Sequence, residues 1–75
     1  MRFPSRDIVN ALKELYPVGT RVELGWMDDI HAPPQGTKGT VMFVDDIGTV
    51  HVHWDNGSTL GAAYPDDRIF KCFED

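Results

Sequence analysis

The chain has 75 residues, 41% hydrophobic and 11% aromatic, with 12 acids against 7 bases and a formal net charge of −5. That length supports one domain with a small core, and that composition excludes a disordered chain. The bases Arg2, Arg6, Lys13, Arg21, Lys38, Arg68 and Lys71 are scattered, so direct nucleic-acid binding is not expected and long-range steering favours cationic partners.

Residues 5–16 read as the single helix. Ser5 is a good N-cap behind Pro4, Asp7 suits the positive end of the helix dipole, and Pro17 and Gly19 stop the helix. Ile8, Leu12 and Leu15 recur at i, i+4 and i+7 with Ala11 beside them, which predicts one apolar stripe docked on a sheet. Residues 20–26 then alternate as a half-buried strand, with Val22, Leu24 and Trp26 on one face and Arg21 and Glu23 on the other. Residues 27–36 have no period, and Pro33-Pro34 favours a stiff extended loop over a ladder strand.

Residues 37–44 and 49–54 are the next two strands. In the second of these, Val50, Val52 and Trp54 point one way and Thr49, His51 and His53 the other. The first contains Val-Met-Phe-Val without alternation, which suggests that both its faces are covered, one by the core and the other by the helix. The turn between the two holds either four residues, 45–48, or three, 46–48 with Gly48 left-handed. The choice swaps which of Phe43 and Val44 faces inward, and both remain open.

The next turn can be assigned. A three-residue loop at Asp55-Asn56-Gly57 sets Leu60 opposite Val52 and buries both, whereas a two-residue loop leaves Leu60 outside. Burying a leucine contributes roughly 1.5–3 kcal/mol, more than the difference between good hairpin turns. The three-residue loop, with Gly57 at positive φ, is therefore expected. A fourth strand follows at about 58–62, a turn at 64–67 and a closing strand at 68–73, with Ile69 and either Phe70 or Phe73 plugging the core. One helix and five short strands predict a mainly β domain over residues 1–75. Its architecture is a small SH3-like five-stranded barrel with the N-terminal helix packed on it.

Chemistry finds little footing in this pattern. Cys72 is the only cysteine, so no internal disulfide or zinc framework is expected. His51, His53 and Asp55 share a strand face and offer one weak metal set, read as a solvated face with no cofactor. Gly36-Thr37-Lys38-Gly39-Thr40 lacks phosphate-loop spacing, and no GxSxG or HExxH occurs. No apolar run approaches the ~20 residues that span a bilayer, and the first residues lack a signal-peptide core. A reducing cytoplasm and no membrane partner are expected. The better candidate is a binding surface on the long loop: Trp26, Met27, Ile30, Pro33, Pro34 and Tyr64 as apolar contacts, rimmed by Asp28, Asp29 and His31.

Several stretches carry a resemblance. Y-P-V-G-T-R-V-E-L (Tyr16 to Leu24), M-D-D (Met27 to Asp29), A-P-P-Q-G-T-K-G-T-V (Ala32 to Val41) and V-D-D-I-G-T-V-H-V-H-W-D-N-G-S-T-L-G (Val44 to Gly61) resemble the family "domain of unknown function 4314". That family is common in Gram-positive bacteria, their phages and mobile elements. The resemblance covers about residues 5–70 and implies a cytoplasmic protein, often carried on mobile DNA, without an assigned activity. Gly39-Thr40-Val41 with Val52-His53-Trp54-Asp55-Asn56-Gly57 also resembles Mib/Herc2-type SH3-like modules. Those place a tyrosine soon after the last glycine, where this chain has Leu60.

The expectation is a small non-enzymatic protein- or peptide-binding module of bacterial or mobile-element origin. The alternative is a counter-defence inhibitor whose acidic surface mimics nucleic acid. The oligomeric state stays open, because an uncovered edge strand can pair two copies.

Overall fold

The computed structural model describes residues 4–72. Ser5 adopts extended backbone, and its Oγ accepts the Ile8 N–H at 3.2 Å, capping helix α1 (Arg6–Leu15). Tyr16 closes the helix by donating its N–H to Leu12 O at 2.9 Å. The buried stripe differs from the one read in the sequence. Val9 and Leu12 are buried at 5% and 9% exposure, whereas Ile8 and Leu15 stand 36% and 46% exposed and Ala11 is exposed as well. Leu12 and half-buried Tyr16 pack on the core cluster, and Val9 is the other buried residue of the helix.

Five strands follow: β1 (Arg21–Trp26), β2 (Lys38–Val44), β3 (Thr49–Trp54), β4 (Gly61–Ala63) and β5 (Arg68–Lys71). All pairings are antiparallel in the order β4-β3-β2-β1-β5. The fold is mainly β and SH3-like. Its sheet wraps one core but is not closed, because β4 and β5 are the two edges and do not pair with each other. Val22, Leu24, Val41, Val50, Val52 and Trp54 fill the centre, each 3% exposed or less. Trp54 can sit there because its indole N–H donates to Leu60 O at 2.9 Å.

Two bulges redirect side chains that simple alternation would have placed elsewhere. In β1 the register shifts between Leu24 and Trp26. The extra residue, Gly25, resets the alternation, so Trp26 turns outward at 54% exposure and Met27 enters the core at 8%. Trp26 therefore does not share the face of Val22 and Leu24. In β2 the shift lies between Val41 and Phe43. Val41 and Val44 both point inward, while Met42 and Phe43 remain 44% and 47% exposed. The outer face of β2 is thus not covered by the helix; Phe43 instead stacks on the His51 ring at 4.2 Å between centroids.

Both hairpin turns have three-residue loops. Asp45 N–H donates to Thr49 O, Gly48 N–H donates to Asp45 O, and Gly48 has φ +85°. That register pairs Val44 with Val50 and resolves the inward residue as Val44. At the second turn Trp54 N–H donates to Ser58 O, Gly57 N–H donates to Trp54 O, and Gly57 has φ +95°. The same register sets Leu60 opposite Val52, packed against the core. β4 begins only at Gly61, later than expected, and β5 ends at Lys71. Ile69 packs on the core, Phe70 is 59% exposed, and Phe73 lies outside the described residues.

Candidate binding surface at the open seam

The loop between β1 and β2 has a built interior. Met27 and Pro33 are buried and Ala32 is half-buried, so the two ends of the loop are anchored in the domain. Asp29 Oδ1 accepts the His31 N–H at 2.7 Å, and Ala32 N–H donates to Asp29 O at 3.0 Å, which closes a tight turn. Thr37 ties the far side down, its hydroxyl donating to Pro34 O at 2.6 Å. Ile30 projects from the tip at 95% exposure, and Trp26, Asp28, Asp29, His31 and Pro34 are exposed around it. Of the surface residues expected from sequence, Met27 and Pro33 are instead internal supports, because the Gly25 bulge turns Met27 inward.

Tyr64, the remaining candidate, belongs to the β4–β5 turn, where the Tyr64–Pro65 peptide is cis. Asp67 joins that turn to the loop. Its Oδ1 accepts the Asp28 N–H at 2.9 Å, its Oδ2 accepts the Ala63 N–H at 3.0 Å, and its own N–H donates to Ala63 O at 2.9 Å. The two segments therefore form one continuous surface.

That surface continues into a groove of about 270 Å³, where the last turn of α1 overhangs the gap between β4 and β5. Leu12, Val50, Ala62 and Ile69 line its apolar interior, and Leu15, Tyr64 and Phe70 line it at 46%, 44% and 59% exposure. Phe70 lies against Gly25, where a Cβ would collide with its ring, so the glycine both makes the bulge and seats the aromatic. Tyr16 also lines the groove, and burial raises its phenol pKa. A second hollow, of about 310 Å³, holds the Lys13–Asp46 ion pair, whose N–O distance is 2.9 Å.

Arg21 and His51 are the strand residues that form ion pairs among the described residues. Arg21 grips Asp55 with two bonds, Nη1 to Oδ1 at 2.9 Å and Nη2 to Oδ2 at 2.7 Å, and also donates to Thr40 Oγ1. This bonding lowers the Asp55 pKa. Lys13 likewise lowers that of Asp46. His51 Nε2 lies 2.8 Å from Asp45 Oδ2, so the strand-face set of His51, His53 and Asp55 is divided between different partners. Among the described residues no three His, Cys, Asp or Glu side chains are grouped to hold a metal ion. The carboxylates of Asp28 and Asp66 accept no hydrogen bond and form no ion pair among the described residues.

Sequence reasoning placed the loop but missed the groove. The helical period assigns Leu15 to the core, the closing strand leaves the choice between Phe70 and Phe73 open, and Asp67 reads as one more turn residue. The only available signal was the shortness of the last two apolar runs, too weak to close a barrel.

No helix among the described residues is long and apolar enough to cross a membrane. Searches of curated proteins and of solved structures returned no match. The model of the family described as Domain of unknown function (DUF4314) matches residues 5–72, so the chain belongs to that family.

Proposed function

We propose that this chain is a small, non-enzymatic module that binds a protein or peptide partner through the surface formed by the β1–β2 loop and the seam groove. The observation that carries this reading is the exposure of Leu15, Tyr64 and Phe70 around one apolar groove, with Trp26 and Ile30 exposed at the adjoining β1–β2 loop. Holding large apolar side chains in water is unfavourable, and interfaces concentrate aromatic anchors of this kind within a charged rim. The engagement of Asp55 by Arg21 and of His51 by Asp45 supports a structural rather than a catalytic role for those groups.

Affinity capture from a bacterial lysate tests the reading, with wild-type chain beside Trp26→Ala, Leu15→Asp and Asp28→Ala. The expected result is a captured partner that is retained by an Ile47→Ala control and lost with the three surface variants. A captured set that none of the substitutions alters would sink the proposal.

A further inference from the structure

The hydrogen-bond register shows which backbone groups the open seam leaves unpaired. Leu24 N–H donates to Thr37 O and Leu24 O accepts from Gly36, so Leu24 serves the β2 side of its strand. Arg21 faces the other way, with its carbonyl accepting the Cys72 N–H at 2.8 Å. Alternation along an antiparallel ladder then assigns the N–H and C=O of Phe70 and Cys72 to β1. Those of Ile69 and Lys71 point away from β1, toward the seam. On the opposite bank, Tyr64 N–H donates to Gly48 O and Trp54 N–H to Ser58 O, so even-numbered residues of that segment serve β3. Gly61 and Ala63 face outward, and Asp67 satisfies both groups of Ala63. Among the described residues, the edge of β5 is thus an unpaired strand edge beside an apolar groove.

Resting on the binding-module reading, we propose that the partner is an extended basic segment of another protein. It adds as a strand to the free edge of β5, with one apolar side chain seated in the groove. The backbone of Ile69 and Lys71 supplies the pairing, and Leu15, Tyr64 and Phe70 enclose the apolar residue. The charge at the Arg68 end of β5 selects the flanks. Asp28 is tied to Asp67 there through its N–H, Asp29 and Asp66 are their chain neighbours, Arg68 is the base next in sequence, and the carboxylates of Asp28 and Asp66 have no partner among the described residues. A lysine or arginine beside the seated residue complements that end. A second copy of this chain does not, since it brings its own net charge of −5.

The test is selection of random linear peptides on the whole chain, followed by two measurements on the selected peptides. In the first, the peptide backbone is N-methylated at alternate positions. Strand addition predicts about a tenfold or greater loss of affinity for one alternation phase and little change for the other. In the second, amide hydrogen exchange is followed by NMR. In the free chain Ile69 and Lys71 should exchange fast while Phe70 and Cys72 are protected, and saturation with peptide should slow Ile69 and Lys71 about tenfold or more. Leu15→Asp and the reversal Asp66→Lys, both at exposed positions, should each weaken binding without altering the exchange of Phe70. The inference is overturned if both methylation phases behave alike, if Ile69 and Lys71 are already protected in the free chain, or if no peptide is enriched. A seam-dependent dimer abolished by Leu15→Asp overturns it as well. Peptides whose footprint falls only on Trp26 and Ile30 overturn strand addition and leave the binding module standing.

Discussion

Asp45 gathers three donors at the first hairpin: the Ile47 and Thr49 N–H groups at 3.1 and 2.9 Å, and His51 Nε2 at 2.8 Å. Burial works to raise its pKa, but the hydrogen bonds of His51, Thr49 and Ile47 outweigh that and lower it. A depressed carboxyl stabilises the fold at pH values above the unfolded pKa of about 3.9, and that contribution is lost as pH falls through the folded value. Acidification from about pH 5 to about pH 2 should therefore lower the melting temperature. Asp45→Asn, which keeps an acceptor for the turn but cannot ionise, should lessen that loss, leaving the shares of Asp46 and Asp55. Asp45→Ala should cost about 1–2 kcal/mol at neutral pH by thermal denaturation, because it orphans two backbone donors. Asp45 itself was legible only as a turn residue. Its link to His51 depends on a register that the run Val-Met-Phe-Val left open.

Among the elements, the turns were the most legible and the helix face the least. Gly57 is left-handed with nothing within 4 Å of a would-be Cβ, so Gly57→Ala should cost only backbone strain, about 1–2 kcal/mol. Gly48 is also left-handed, and a Cβ there would approach Pro4 Cγ at 2.7 Å. Gly48→Ala should cost more than Gly57→Ala in denaturant titration, and a Pro4→Ala background should remove the difference. On α1 the prediction follows the observed stripe. Val9→Ala should destabilise by about 1–3 kcal/mol and Ile8→Ala by less than about 1, measured from chemical denaturation midpoints. Helical periodicity cannot distinguish these neighbours, because both lie within the apolar arc and the docking angle decides which one meets the sheet. The β1 bulge is a similar case. Gly25 is visible in the sequence, but its effect on Trp26 and Met27 depends on pairing with β5, some 40 residues away.

At the scale of the whole molecule, a short chain has wrapped a sheet around its core without closing it. β4 has 3 residues and β5 has 4, and the two are joined through the Asp67 carboxylate and the overhang of α1 rather than by a ladder. The seam that results combines an apolar groove with a local acid excess. Its binding should therefore depend on salt: affinity for a basic peptide selected on the seam should fall several-fold between about 0.05 and about 0.5 M salt, measured by fluorescence anisotropy. An interaction carried by the groove alone would be flat or strengthen over that range.

The sequence by itself determined the helix with its Ser5 cap, the five strands, the two three-residue-compatible turns, the Pro-containing loop and the burial of Trp54. These rest on near-neighbour physics: capping, fixed φ at proline, positive φ at glycine and the two-residue period of a strand. Only the tertiary structure decided that Trp26 faces out and Met27 in, that Val9 replaces Ile8 in the core, and that the barrel stays open between β4 and β5. Each of those outcomes depends on where a distant segment pairs or docks, and a one-residue bulge or a small rotation of the helix reverses it without changing any local preference.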